Sequence, residues 1–239
     1  MIDKLNEIIA KSNNIVFLGG AGVSTTSGIP DFRSADGLYN RKFSFPPEVI
    51  LSHEFFLSKT IEFFDFYRNN MNALNVNPNI IHYTLKKLED IGKLKWIITQ
   101  NIDGLHEKAG SKNVLEIHGS IYRNYCMKCH KFYGPEKIFF SKNVPLCNCG
   151  GIIKPDVVLY NEPLNETFDK AIDAVMNADT LIVAGTSLTV YPAASLLKYF
   201  KGNNLVLINK DKTAFDGNAT LVINDLLQDV FGEIRIWEL

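Results

Sequence analysis

The sequence predicts an α/β protein built on a doubly wound parallel sheet, with a smaller metal-stapled part appended. Three observations carry this expectation. Short apolar runs alternate with amphipathic stretches, successive runs end in glycine or polar residues, and all four cysteines crowd between positions 126 and 149 of the 239 residues. Strands alternating with helices imply parallel pairing through crossover connections.

Leu5, Ile8 and Ile9 recur at helical spacing and predict a short amphipathic helix over residues 3–12. Ile15 to Leu18 then reads as a buried strand that breaks into Gly19, Gly20, Ala21 and Gly22. From Arg33 to about Pro78 the chain turns aromatic and irregular, with Phe43, Phe45, Phe55, Phe56, Phe63, Phe64, Phe66 and Tyr67, as expected of the core of a small helical insertion. Asn79–Asp90 reads as a helix. The runs Leu94–Thr99 and Val114–Ile117 read as strands, ending in Gln100-Asn101-Ile102-Asp103 and His118-Gly119-Ser120. Beyond the cysteines come an extended run, Val157–Tyr160, and a helix over Asn165–Asn177. They are followed by a strand, Thr180–Ala184, turning at Gly185-Thr186-Ser187, a helix over Pro192–Lys201, and strands at Leu205–Ile208 and Leu221–Ile223. Ligands of open α/β sheets sit outside the carboxyl ends of the strands, so these polar clusters are expected to converge.

Composition narrows the function classes. With 46% hydrophobic residues the chain can build a substantial core. Its 25 basic and 26 acidic residues give a net charge of -1, which offers no ground for a nucleic-acid or membrane-surface partner. No apolar run approaches the roughly 20 residues that span a bilayer, and residues 1–14 lack the pattern of a signal peptide. A cytoplasmic location is the expectation.

Two constellations carry chemistry. Cys126 and Cys129 form one close pair and Cys147 and Cys149 another, separated by seventeen residues and followed by Gly150-Gly151. Four thiolates satisfy tetrahedral zinc and leave no open position, so the site is read as structural. Four free thiols or a redox pair is the alternative, disfavoured because redox motifs use a single Cys-x-x-Cys. The glycine turn suits close backbone approach to a nucleotide phosphate, yet it does not match Gly-x-Gly-x-x-Gly, which argues against a hydride-transfer dehydrogenase. His118 can be a packed core histidine or a general base; Asn101 and Asp103 at the same sheet edge favour the base. Asp103 can equally cap the turn that follows it.

Gly20-Ala-Gly22-Val-Ser24, Gly28-Ile-Pro-Asp-Phe-Arg33, Gln100-Asn-Ile-Asp-Gly-Leu-His106, His118-Gly119, the cysteine pairs and Gly185-Thr-Ser-Leu-x-Val-x-Pro192 together resemble the sirtuin family of NAD-dependent protein lysine deacylases. The resemblance implies a Rossmann-like NAD-binding domain from residues 1–32, 79–120 and 155–239, a helical module from 33–78 and a zinc ribbon from 121–154. It places Gly20, Ala21, Gly22 and Ser24 at the pyrophosphate, Phe32 and Arg33 on a mobile cofactor loop where Phe32 shields the site once nicotinamide leaves, and Thr25 and Asp31 among the cofactor-binding residues. Gln100, Asn101, Ile102 and Asp103 would form the nicotinamide–ribose pocket; Gly185, Thr186, Ser187, Asn209 and Asp211 would hold phosphate and adenosine. Val157, Val158, Tyr160, Asn161 and Glu162 would pair with an acetylated peptide.

The implied reaction has the acyl oxygen attack the nicotinamide ribose, with His118 as base acting through ribose hydroxyls, giving free lysine, nicotinamide and O-acetyl-ADP-ribose. An ADP-ribosyltransferase or NAD glycohydrolase would use the same pocket. Two positions depart from the family pattern: Gly19 replaces a frequent Thr, and Asn161 a frequent Gly. Relatives that prefer succinyl-lysine carry Tyr-x-x-Arg, whereas Tyr67 here is followed by Asn70. An acidic acyl group then lacks its charge-assisted partner, and acetyl or another uncharged acyl group is expected.

Overall fold

A computed structural model describes residues 1–32, 34, 37–164 and 166–238. Arg33, a candidate cofactor contact, lies outside the described residues, as does Asn165. Nine strands are assigned among the described residues: β1 (Ile15–Gly19), β2 (Leu94–Thr99), β3 (Val114–Glu116), β4 (Gly119–Cys126), β5 (Phe132–Tyr133), β6 (Ile153–Val157), β7 (Thr180–Ala184), β8 (Asn204–Ile208) and β9 (Leu221–Ile223). Six of them form one sheet in the order β3-β2-β1-β7-β8-β9, every pairing parallel. The order reverses between β1 and β7. That reversal is the switch point at which doubly wound sheets open a crevice.

The sheet is held by side chains that alternate across its two faces. Ile15 and Phe17 of β1, with Ile182 of β7 and Val206 and Ile208 of β8, pack against helices Ile2–Lys11, Ile80–Asp90 and Leu227–Gly232. Val16, Leu18, Leu181, Val183 and Leu207 face the other way, against helix Thr167–Asn177 and the segment Ala193–Tyr199. Both faces are covered, and β1 and β7 are buried along their whole length.

A third cluster forms the smaller part. Phe56, Phe63, Phe64 and Tyr67, from helices His53–Ser58 and Thr60–Asn70, pack on Ile121, Ile138, Ile153 and Val157. Their rings meet edge to face, as in Phe56–Phe63 at 5.0 Å and Phe63–Phe64 at 5.3 Å, or stacked, as in Tyr67–Phe139 at 5.6 Å. The antiparallel sheet β5-β4-β6 completes this part.

Several expected elements differ in detail. The helix expected over Pro192–Lys201 is a 3₁₀ segment, Ala193–Tyr199, where the Ser195 hydroxyl donates to the Pro192 carbonyl at 2.7 Å and competes with helical pairing. The helix after the cysteines begins at Thr167. The run Val157–Tyr160 is strand only at Val157; β6 precedes it, hidden in the sequence because Lys154-Pro155-Asp156 reads as a turn. Proline is tolerated there because β6 is an edge strand. Strand β4, which starts one residue past His118, was not anticipated at all.

Candidate functional site

A cleft of about 880 Å³ lies between the carboxyl edge of the parallel sheet and the smaller part. The turn after β1 forms its nucleotide-facing wall. The glycines there serve close approach: a Cβ on Gly20 would meet Thr186 Cβ at 2.7 Å, and one on Gly22 would meet Gly185 Cα at 2.7 Å. Their N–H groups donate to the Ala184 and Gly185 carbonyls, at 3.2 and 2.9 Å, and so bind the turn to the end of β7. Gly185 itself has φ +61°. Two strand ends are thereby locked together at the switch point, with Ala21, Ser24, Thr25 and Ser187 among the residues facing the cleft.

Gly19 lies beneath this turn, and a Cβ there would meet the Phe17 ring at 2.7 Å. The ring occupies the room that a side chain at 19 would need.

The end of β2 supplies the next wall. Gln100 reaches Thr186 through its side-chain amide at 3.1 Å, and the Asn209 amide donates to the Thr186 carbonyl at 3.2 Å. Asp103 is buried, accepting from the Ser24 hydroxyl at 2.7 Å and from the Leu105 N–H at 2.9 Å. The Asn101 amide donates in turn to Ser24 at 3.0 Å. Burial raises the Asp103 pKa, opposed by the Ser24 and Leu105 bonds. The N-cap of helix Leu105–Lys108 is Gly104, while the Asp103 carboxylate holds the first N–H of that helix and lines the cleft.

His118 sits between β3 and β4. Its Nδ1 lies 3.0 Å from the Gln100 carbonyl, which can only accept, so Nδ1 carries the proton and Nε2 the lone pair. Burial pulls its pKa below 6.5, countered by the Gln100 bond. At neutral pH the ring is an uncharged base. Gly119 makes this placement possible: its φ is +81°, and a Cβ would lie 1.9 Å from the Asp156 carbonyl oxygen.

The opposite wall is Val157–Glu162. The Val158 N–H donates to the His118 carbonyl at 3.0 Å, and Tyr160 pairs with Leu51 and His53 through backbone bonds of 2.9 and 3.0 Å. Asn161 has φ +69°, in the left-handed region that glycine enters freely and that asparagine tolerates better than most residues with a side chain. Both Glu162 carboxylate oxygens are engaged within the protein, by His53 at 2.9 Å, Lys154 at 3.1 Å and the Leu159 N–H at 2.9 Å. Glu162 braces this wall.

Gly20, Ala21, Gly22, Ser24, Thr25, Asp31, Phe32, Gln100, Asn101, Ile102, Asp103, His118, Val157, Val158, Tyr160, Asn161, Glu162, Gly185, Thr186, Ser187, Asn209 and Asp211 all line this one cleft. Residues that sequence reasoning missed line it too: Leu226, Leu227 and Gln228 follow β9, and the strand-end rule applied once more would have found them. The braces under the cleft, Arg123 with Glu116 and with Asp156 at 2.7 Å, carried no sequence signal.

The four cysteine sulfurs lie within 4.8 Å of one another, with Cys126–Cys149, Cys129–Cys149 and Cys129–Cys147 at 3.5, 3.5 and 3.6 Å, and none forms a disulfide. A Cβ on Gly151 would meet Cys126 Sγ at 2.7 Å, so the knuckle depends on that glycine. Four converging sulfurs of this kind fit one tetrahedral zinc.

A parallel sheet with a glycine turn locked at its switch point, a neutral histidine at its edge and four converging sulfurs beyond it has the layout of a nucleotide-binding α/β enzyme with a structural metal module. The comparisons sharpen that class. The Sir2 family model matches residues 20–192. An NAD-dependent protein deacetylase of Clostridium perfringens (strain 13 / Type A) is 60% identical over 238 residues, covering 98% of each chain. One from Cutibacterium acnes (strain DSM 16379 / KPA171202) is 49% identical, covering 98% of this chain and 97% of its own. A solved complex of Sir2 with p53 peptide and NAD+ superposes with a TM-score of 0.88 at 38% identity, covering 98% and 97% of the two chains. The chain belongs to the Sir2 family.

Proposed function

We propose that this chain removes acetyl groups from protein lysine side chains with consumption of NAD, giving nicotinamide and O-acetyl-ADP-ribose. The observation that carries the reading is the union, in one cleft, of the locked glycine turn, the neutral His118 and the Val157–Glu162 wall. A solved Sir2 complex with 2'-O-acetyl-ADP-ribose, deacetylated p53 peptide and the inhibitor EX-527 has a TM-score of 0.87 to this chain and supports it.

Each residue set has a distinct task in this reading. NAD, bound as co-substrate, would offer an activated ribose carbon that exchanges its bond to nicotinamide for one to the acyl oxygen, and water would then cleave the acyl–nitrogen bond to free the lysine. The turn at residues 20–25, with Gly185, Thr186 and Ser187, holds the phosphates, and Asn209 and Asp211 take the adenosine ribose. Asn101 and Asp103, prearranged through Ser24, orient the nicotinamide end, with Ile102 as its apolar floor. His118 accepts a ribose-hydroxyl proton at Nε2, because Nδ1 is committed to Gln100. Val157, Val158, Tyr160 and Asn161 receive the peptide, and Glu162 keeps that wall in place. The four thiolates hold zinc and the ribbon's shape.

The acyl preference follows from charge. Tyr67 and Asn70 line the cleft, and no arginine stands at position 70. Arg68 is turned away, bonding Asp65 at 2.7 Å and the Asn143 carbonyl at 3.1 Å. Arg41 also lines the cleft, so the preference for uncharged acyl groups over succinyl rests on the lack of an arginine at position 70.

The test is incubation of the purified protein with NAD and peptides bearing acetyl-, butyryl- or succinyl-lysine, following nicotinamide and free-lysine peptide by mass spectrometry. NAD-dependent loss of the acetyl group is the expected result. Absence of turnover with every peptide refutes the reading, and ADP-ribose retained on protein without acetyl loss identifies a transferase instead.

A further inference from the structure

The backbone of Leu38 and Tyr39 folds back onto Asp31 and Phe32. Leu38 N–H donates to the Asp31 carbonyl at 2.8 Å, and Tyr39 N–H to the Phe32 carbonyl at 2.9 Å. The Phe32 and Tyr39 rings meet at 5.5 Å with 60° between their planes. Phe32 lines the cleft, with Tyr39 packed against it. The Tyr39 hydroxyl is hydrogen-bonded to the Tyr160 hydroxyl, 121 residues away in the chain. Tyr160 belongs to the peptide-side wall, where backbone bonds to Leu51 and His53 pin it to the helical module. One side-chain bond thus ties the nucleotide side of the cleft to the peptide side.

We propose that the Tyr39–Tyr160 hydroxyl pair is a latch that makes the two substrates bind cooperatively. An acyl peptide seated along Val157–Glu162 fixes Tyr160; the bond fixes Tyr39; and Tyr39, through its backbone bond and ring contact, holds Phe32 in position on the nucleotide side. Coupling of this kind is reciprocal, so NAD and peptide each raise the other's affinity by one factor. A single neutral hydrogen bond of ordinary net worth sets that factor at about two- to tenfold. Tyr39 is a positioning residue here, acting through the peptide-binding Tyr160, and the inference rests on the deacetylase reading given above.

ADP-ribose, which cannot release nicotinamide, separates binding from turnover. Affinity of an acetyl-lysine peptide is measured calorimetrically with and without saturating ADP-ribose, for the native protein, Tyr39→Phe, Tyr160→Phe and the double variant. The native protein should bind peptide about two- to tenfold more tightly when ADP-ribose is present. Tyr39→Phe should remove most of that gain while leaving the peptide's affinity alone unchanged, and the double variant should show no further loss of coupling. Unchanged coupling in Tyr39→Phe overturns the latch, as do additive losses in the double variant or a lack of coupling in the native protein. Failure of the native protein to bind either ligand refutes the deacetylase reading instead.

Discussion

The parallel sheet and the smaller part reach stability by opposite means. The sheet alternates Ile, Val and Leu between two covered faces, and its strands are read from runs of three to six residues. The smaller part has no such regular layer. Its core is a set of phenylalanine rings, with β4 and β6 beneath them and four thiols at the far end. Large aromatic side chains supply burial that short helices of four to eleven residues cannot organise by periodicity. The sheet is therefore expected to be self-sufficient, and the smaller part to depend on metal and on a few irreplaceable positions.

Metal removal tests that contrast most strongly. Chelation, or Cys126→Ala, should unfold the smaller part and abolish deacetylation, while far-UV circular dichroism retains the signal of the sheet domain; metal-free protein with full activity would show that the sulfurs are dispensable. The junction comes next. Gly119→Ala forces a Cβ against the Asp156 carbonyl at a left-handed residue, and should cost several kcal/mol of stability and most of the activity, read by thermal melting and turnover.

His118→Ala, by contrast, should lower turnover by roughly 10²–10⁴-fold with the melting temperature and ADP-ribose affinity nearly intact. Because burial lowers the His118 pKa, kcat/KM should fall on acidification only below pH 6.5, where protonation removes the base.

A fourth prediction concerns acid stability of the sheet domain. His82 and His106 are buried with rings 4.7 Å apart, and burial lowers both pKa values, that of His82 to about 4. Between pH 6.5 and 4 the unfolded chain binds more protons than the folded one, so stability rises with pH and is lost on acidification. For His82 alone this amounts to up to roughly 3 kcal/mol. Urea titrations at pH 7 and 5 should show the loss, and His82→Gln should reduce it. The smallest effect is at Asn161: Asn161→Gly should be tolerated within a few tenths of a kcal/mol, and Asn161→Ala should cost about 1 kcal/mol.

The same contrast governs what could be read from the chain. All six strands of the large sheet were legible, because a buried parallel strand is a continuous apolar run ended by glycine or polar residues. Their carboxyl ends gave Gly20, Asn101, Asp103, His118, Gly185 and Asn209, and the cysteine spacing gave the ribbon. Strand β4 and the edge strand β6 were missed, since Tyr122-Arg123-Asn124 and Lys154-Pro155-Asp156 carry the marks of turns. Nor could sequence show that the Gly20 and Gly22 N–H groups point at β7, or that Glu162 is committed to His53 and Lys154. Those are facts of three-dimensional pairing between distant segments.

The ring of Phe17, filling the space above Gly19, has a consequence for sequence variation. It couples the two positions: a Thr at 19 forces the Phe17 ring to shift or to give way to a smaller residue, which disturbs the edge contacts that Phe17 makes with Phe231 at 6.0 Å and His106 at 6.2 Å. Neither substitution is neutral alone, yet the pair can be. Across relatives, a bulkier residue at 19 should travel with a lighter one at 17, so that a library varying both together will yield functional chains that stepwise mutation does not reach.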